Sequence, residues 1–157
     1  MTAARRRIAR VVGVAAASLA AAAAMYPVTA LEVENTAHGR PIRLALGTDE
    51  SFSVISRHSM YDQPVTEEFV VDARRRIVLT SVSSPSAAVR EYFGISDPGE
   101  RHPMRRAIGE VVFRIAAGPA QSLRAGGAEH SFLEFGEHGD RLVLRAIRRP
   151  AVVHWLA

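Results

Sequence analysis

The chain reads as an all-β domain, a sandwich or a barrel with one short helix, behind an N-terminal signal or anchor segment. Three observations predict this. Short runs alternate apolar and polar residues with a period of two, at residues 31–34, 41–46, 51–58, 65–72 and 131–135. Clusters of Gly, Pro, Asn and Asp separate these runs at the intervals expected of strand connections. One stretch alone, residues 84–94, carries the punctuation of a helix.

Residues 1–30 form the leading segment. Arg5, Arg6, Arg7 and Arg10 come before an uncharged run over 11–31 that is mostly alanine. Val28-Thr29-Ala30 has the small-residue pattern of a cleavage site. The run is long enough to span a bilayer but poor in large apolar side chains, so it reads either as a cleaved signal peptide or as a membrane anchor. Arg5-Arg6-Arg7-Ile8 loosely fits a twin-arginine signal. The unbroken apolar run argues against an amphipathic mitochondrial presequence. The positive-inside rule then places the remainder, residues 31–157, outside the cytoplasm as one domain, since 157 residues are too few for two.

Within that domain, Leu31-Glu32-Val33-Glu34 alternates, and residues 35–39 form a turn-rich link. Ile42, Leu44 and Leu46 share one face of a second strand. Gly47-Thr48-Asp49-Glu50 turns into a run where Phe52, Val54, Ser56 and His58 share a face. Asp62-Gln63-Pro64 is turn chemistry, and Val65, Glu67, Phe69 and Val71 share a face after it. Residues 72–76 are a charged, solvated connector into a strand over 76–80.

Ser84 is the expected N-cap of the helix, Pro85 its first residue and Gly94 its C′ residue. Ala88/Tyr92 and Val89/Phe93 make i,i+4 pairs along it. Residues 95–106 read as a polar loop with a turn at Asp97-Pro98-Gly99 and a solvent-exposed His102. A strand over 111–115 leads to breaks at Gly118-Pro119 and at Ala125-Gly126-Gly127. Residues 136–140 read as a hairpin connection into Leu142-Val143-Leu144, and residues 152–155 as a last strand.

Composition excludes several kinds of chemistry. With no cysteine there is no disulfide or thiolate. All twenty basic residues are arginine, so a Schiff-base lysine and a Walker-type lysine are excluded. The formal charge of +4 resides in the leader: without its four arginines, sixteen arginines face sixteen acids. A domain near neutrality lacks the footprint of a phosphate binder, so no nucleic-acid partner is expected. There is no Gly-x-Ser-x-Gly elbow, P-loop, dinucleotide fingerprint or His-Glu-x-x-His. No cofactor is expected. His130 and His138 flank a strand and could approach each other across sheet ends, or remain ordinary loop histidines.

The densest chemistry lies between residues 58 and 69. His58 and Glu67 both fall on faces whose pattern is that of burial. A pairing that set His58 opposite Val65 or Glu67 would make them direct or diagonal cross-strand neighbours, within about 5–8 Å. Such a pair is either a structural hydrogen bond that ties the loop down or an acid–base site. His58, Glu67 and Glu68 contain metal-ligating groups, but their spacing matches no known metal motif, and no metal is expected. Ser59 is no dyad partner for His58, because adjacent strand residues point to opposite faces. Met60 and Tyr61 at the loop tip are residue types enriched at interfaces, and are the expected partner contact.

The run Phe52…His58-Ser59…Pro64-Val65-Thr66-Glu67-Glu68-Phe69 resembles the hallmark of the domain-of-unknown-function 1850 family (DUF1850) of small exported bacterial proteins. In that family a strand ends in His-Ser, and a short loop leads to Pro-Val-x-Glu and an aromatic residue. The specific part covers about a dozen residues; leader, first strand and length fit as well. Where the family carries a Gly-Ala-Gly-type segment, this chain has Ser81-Val82-Ser83-Ser84-Pro85-Ser86. The resemblance implies no established activity. It implies an association with TRAP transporters of the TAXI type, solute uptake systems with an extracytoplasmic binding protein. The expectations are therefore an accessory or interaction component of such a system, a small-ligand binding β-barrel module, or a hydrolase using His58 and Glu67. The membrane would be a partner through the leading segment if it is not cleaved.

Overall fold

The computed structural model describes residues 3–96, 99, 101–118 and 121–150. Two compact units divide the chain: Met1–Val28 with Arg148–Ala157, and Thr29–Ile147. In the first, helix α1 spans Ala3–Met25. Among the described residues no helix is long and apolar enough to cross a membrane, a statement that does not extend to strands.

The rest is mainly β structure. In chain order the strands are β1 (Pro27–Asn35), β2 (Ile42–Ala45), β3 (Ser51–Arg57), β4 (Pro64–Val71) and β5 (Ile77–Ser83). Helix α2 (Ala87–Tyr92) follows, then β6 (Arg101–Ile108), β7 (Val111–Arg114), β8 (Ser122–Ala125), β9 (Ala128–Ser131) and β10 (Arg141–Pro150). They form a four-stranded sheet, β2-β1-β10-β7, and a six-stranded sheet, β6-β5-β4-β3-β8-β9. Leu31, Val33, Leu142 and Leu144 from the first sheet share one buried core with Phe52, Val54, Phe69, Ile77, Val82 and Leu123 from the second. The fold is thus a sandwich: each sheet has one apolar face, and each buries it against the other.

The β3–β4 hairpin sets the frame for the site. Its register places Phe52 opposite Phe69, Val54 opposite Glu67 and Ser56 opposite Val65. Both apolar faces predicted for this hairpin therefore lie on the same, inward side; the Phe52 and Phe69 rings stack at 4.9 Å. Asp72 closes the next turn, accepting hydrogen bonds from the Arg74 and Arg76 backbone N–H groups, so the triple arginine is a turn.

Several expectations are corrected. The N-cap of α2 is Ser86, whose hydroxyl accepts from the Val89 N–H, and not Ser84. Ser84 instead accepts from the Ser86 N–H and is buried, which leaves Pro85 in the turn ahead of the helix. Gly94 does occupy the position after the C-cap, at φ +75°. The expected polar loop over 95–106 gives way at its end to β6, which pairs with β5, and His102 in it is buried opposite Val82. Pro103 is tolerated because β6 is an edge strand. Residues 132–134 form a 3₁₀ turn and not a strand, because Ser131 and Glu134 make a reciprocal capping box.

The Gly126-Gly127 break is the two-residue turn of the β8–β9 hairpin, with both glycines at positive φ. β1 starts at Pro27, and Thr29 and Ala30 of the expected cleavage pattern lie buried in it. Asp97, Pro98, Pro119 and the expected strand at 152–155 lie outside the described residues.

Candidate functional site

Glu67 and Glu68 are neighbours in β4, so they emerge on opposite faces of the six-stranded sheet. That alternation gives them opposite electrostatic fates. Glu68 points to the outer face, where its carboxylate accepts hydrogen bonds from Arg101 and Ser81. Those bonds, Arg101's first, hold its carboxyl below the usual carboxylate range. Glu67 points inward between Val54 and Val82, both fully buried. No described residue hydrogen-bonds or ion-pairs with its side chain, and burial pushes its carboxyl upward.

Glu67 opens onto a cavity of about 520 Å³. Leu79, Phe93, Met104 and Ile108 give this cavity an apolar wall, Tyr92 lines it too, and Arg105 and Arg106 carry its positive charge. It exists because of a mismatch between layers. Six strands face four, and α2, anchored by the fully buried Val89, supplies cover on the side of β5 and β6. The volume lies in the range of about 300–1,000 Å³ usual for small-molecule sites.

His58 lies just past the end of β3. Its N–H donates to the Gln63 carbonyl at 2.8 Å, and its carbonyl accepts from the Asp62 N–H at 2.8 Å. Asp62 adopts a left-handed φ of +49°, and its carboxylate accepts from Arg57 at 2.8 Å. The His58 ring stacks on Tyr61 at 5.1 Å and meets the edge of Tyr92 at 4.6 Å. Tyr92 in turn touches Phe93 at 5.6 Å.

The expected His58–Glu67 neighbours are not formed. Glu67 is opposite Val54, four residues back along the strand from His58, which is about 13 Å at strand rise. The error lay in the loop: the hairpin closes at His58 with Gln63, tighter than a pairing with Val65 or Glu67 would need. The two residues are linked only through Tyr92, which touches the His58 ring and lines the Glu67 cavity. Ser59 sits exposed in the turn. Met60 and Tyr61 are exposed at the tip, as is Tyr92 beside them, at 69%, 41% and 63%.

Other expected contacts resolve differently. His130 pairs with Glu134 at 3.0 Å, and His138 with the Ala116 carbonyl at 2.7 Å, so each has a local partner of its own. Among the described residues no group of three or more His, Cys, Asp or Glu is placed to hold a metal ion. Tyr92, Phe93, Met104 and Arg106 were not named from sequence as site residues, and His102 was expected in solvent. His102 is buried with its ring nitrogen on the Gly99 carbonyl. The one sequence signal for this region was the i,i+4 pattern that put Tyr92 and Phe93 on α2.

On the outer face, Asp49, Ser51, Ser53, Glu68, Arg101 and Arg124 line a polar groove of about 480 Å³. Arg101 there is held by Glu68, and Arg124 by Glu129 at 2.8 Å. Both arginines of the groove are therefore already paired. The Glu67 cavity differs in holding a carboxyl with no partner among the described residues. Chemically it can accept a hydrogen bond or an ion pair from a bound molecule, but no nucleophile or base is placed beside it, and Tyr92 is its nearest link to the histidine. No family model, no curated protein and no solved structure matches this chain.

Proposed function

We propose that this protein is a non-catalytic recognition module of the cell envelope, an accessory component of a TAXI-type TRAP solute uptake system. The carrying observation is the exposed tip, where Tyr61 and Tyr92 pack on the His58 ring and Met60 is exposed next to Tyr61. Two tyrosines held on a histidine, with an exposed methionine beside them, suit a docking contact better than a solvated turn. The leader and the resemblance of the His58–Phe69 run supply the compartment and the kind of partner. The hydrolase alternative depended on a His58–Glu67 dyad, which the strand register does not form.

The test is co-purification from crosslinked membranes. Met60→Ala with Tyr61→Ala should reduce recovery of transporter components while leaving the melting temperature unchanged. Undiminished recovery from that variant, or no transporter component recovered with the natural chain, would remove the accessory reading.

A second reading has its own support: a small-ligand binding module. The unpartnered Glu67 in its half-apolar cavity favours it, because a buried carboxyl without a donor is costly unless a ligand supplies one.

A further inference from the structure

The Glu67 cavity carries a mismatch that points to a ligand. Its carboxyl faces a wall of Leu79, Phe93, Met104 and Ile108 and has no donor among the described residues. Arg105 and Arg106 line the same cavity, and neither makes an ion pair or side-chain hydrogen bond with a described residue. Arg43, Arg57, Arg76, Arg101, Arg124 and Arg145 each hold a carboxylate. One carboxyl and two arginines thus line one cavity without pairing with one another.

Their places in the sheet set the span between them. Glu67 is in register with Val82 of β5, and Val82 with His102 of β6. Arg106 is in register with Leu79, one row along, two strands away from β4. At strand spacings of about 4.8 Å and a rise of about 3.3 Å per residue, the two Cα atoms stand roughly 12 Å apart. Glu68 and Arg101 pair across the same offset on the outer face, whereas Glu67 and Arg106 do not pair, and a small molecule with charges at one end fits between them. Apolar surface fills the rest of the wall, with the Phe93 and Tyr92 rings and the Met104 thioether suited to a cation's flank.

We propose that this cavity binds a small apolar molecule carrying both an ammonium and a carboxylate, the chemical class of the apolar α-amino acids. The ammonium pairs with Glu67, the carboxylate with Arg105 or Arg106, and the apolar body lies against Leu79, Phe93, Met104 and Ile108. A simple amine would leave the two guanidinium groups repelling it. A simple carboxylate would leave Glu67 without a donor. The zwitterion answers both, and a site that pairs both charges discriminates against molecules lacking either one. This deepens the ligand-binding reading and rests on it; the accessory reading is independent of it.

The test uses the full chain and three probes of similar size: L-leucine, isopentylamine and 4-methylpentanoate. Binding is read by titration calorimetry and by amide shifts in a ¹⁵N spectrum. L-leucine should bind saturably and shift the amides of Glu67, Leu79 and Phe93, and each half-molecule should bind at least tenfold more weakly. Glu67→Gln and Arg105→Gln/Arg106→Gln should each lower L-leucine affinity at least tenfold, and Arg74→Gln, in the solvated turn, should not. Glu67→Gln breaks no bond in the fold, so a folded variant is expected and its thermal melt verifies it. Equal binding of either half-molecule overturns the zwitterion assignment but leaves a small-ligand site. Silence from all three probes overturns the proposal and counts against the ligand-binding reading as well.

Discussion

Replacing Glu67 by methionine should stabilise the protein. Glu67 lies on the inward face between Val54 and Val82, its side chain has no described partner, and burial pushes its carboxyl upward. Burying a polar group without a hydrogen bond costs about 1–3 kcal/mol in proteins. Because Glu67 keeps some access through the cavity, the lower part of that range applies, about 1–2 kcal/mol. Methionine has nearly the same length, adapts to irregular space and removes the penalty. For a domain of this size about 4 °C accompanies each kcal/mol, so the melting temperature should rise by roughly 4–8 °C.

The effect has a pH signature. A carboxyl whose folded pKa is raised binds more protons folded than unfolded. Its contribution is therefore most favourable below the unfolded value and is lost as pH rises toward and through the folded value. Glu68 runs the other way: its lowered carboxyl contributes stability above the unfolded value that is lost as pH falls. The variant-minus-natural difference isolates Glu67. It should be small in acid, grow as pH rises past the ordinary carboxylate range, and then level off. Urea unfolding across that range measures it. A methionine variant less stable than the natural chain at neutral pH would refute the reasoning, since it would mean the carboxyl has a partner within the fold.

Two further substitutions test how the frame of the site is held. Gly126→Ala should destabilise by at least about 1–2 kcal/mol, the cost of a left-handed residue with a Cβ, since Gly126 is at φ +58°. The added Cβ would also stand 2.3 Å from the Ala45 carbonyl oxygen, and an unchanged urea midpoint would contradict this placement. Asn35→Ala should cost about 1–3 kcal/mol by the same measurement. The buried amide donates to the Phe135 carbonyl and to Asp140 and accepts from the Ala37 N–H, so truncation leaves those groups without it. A neutral result would show that water replaces the amide.

Much of the local design was legible along the chain. The period-two pattern of Phe52, Val54, Val65, Phe69 and Val71 set the inward face of the central hairpin, because a residue's side of a strand depends only on parity. The C′ glycine of α2 and the Asp72 turn were readable because their hydrogen bonds close within a few residues. The missed N-cap was a contest between two nearby serines, Ser84 and Ser86, that local spacing does not decide. β6 was unreadable for a different cause. Arg101-His102-Pro103-Met104-Arg105-Arg106 has little strand character of its own and is recruited by pairing with β5.

By itself, then, the sequence determined the fold class, the inward face of the β3–β4 hairpin and the opposite directions of Glu67 and Glu68, since parity and turn chemistry are properties of neighbouring residues. Only the tertiary structure decided what those side chains meet. Register is set by where a hairpin closes, and closure at His58 and Gln63 moved Glu67 away from His58 and opposite Val54. The cavity is assembled from β4, β5, α2 and β6, and positions from 67 to 108 become neighbours only when long-range pairing brings those elements together.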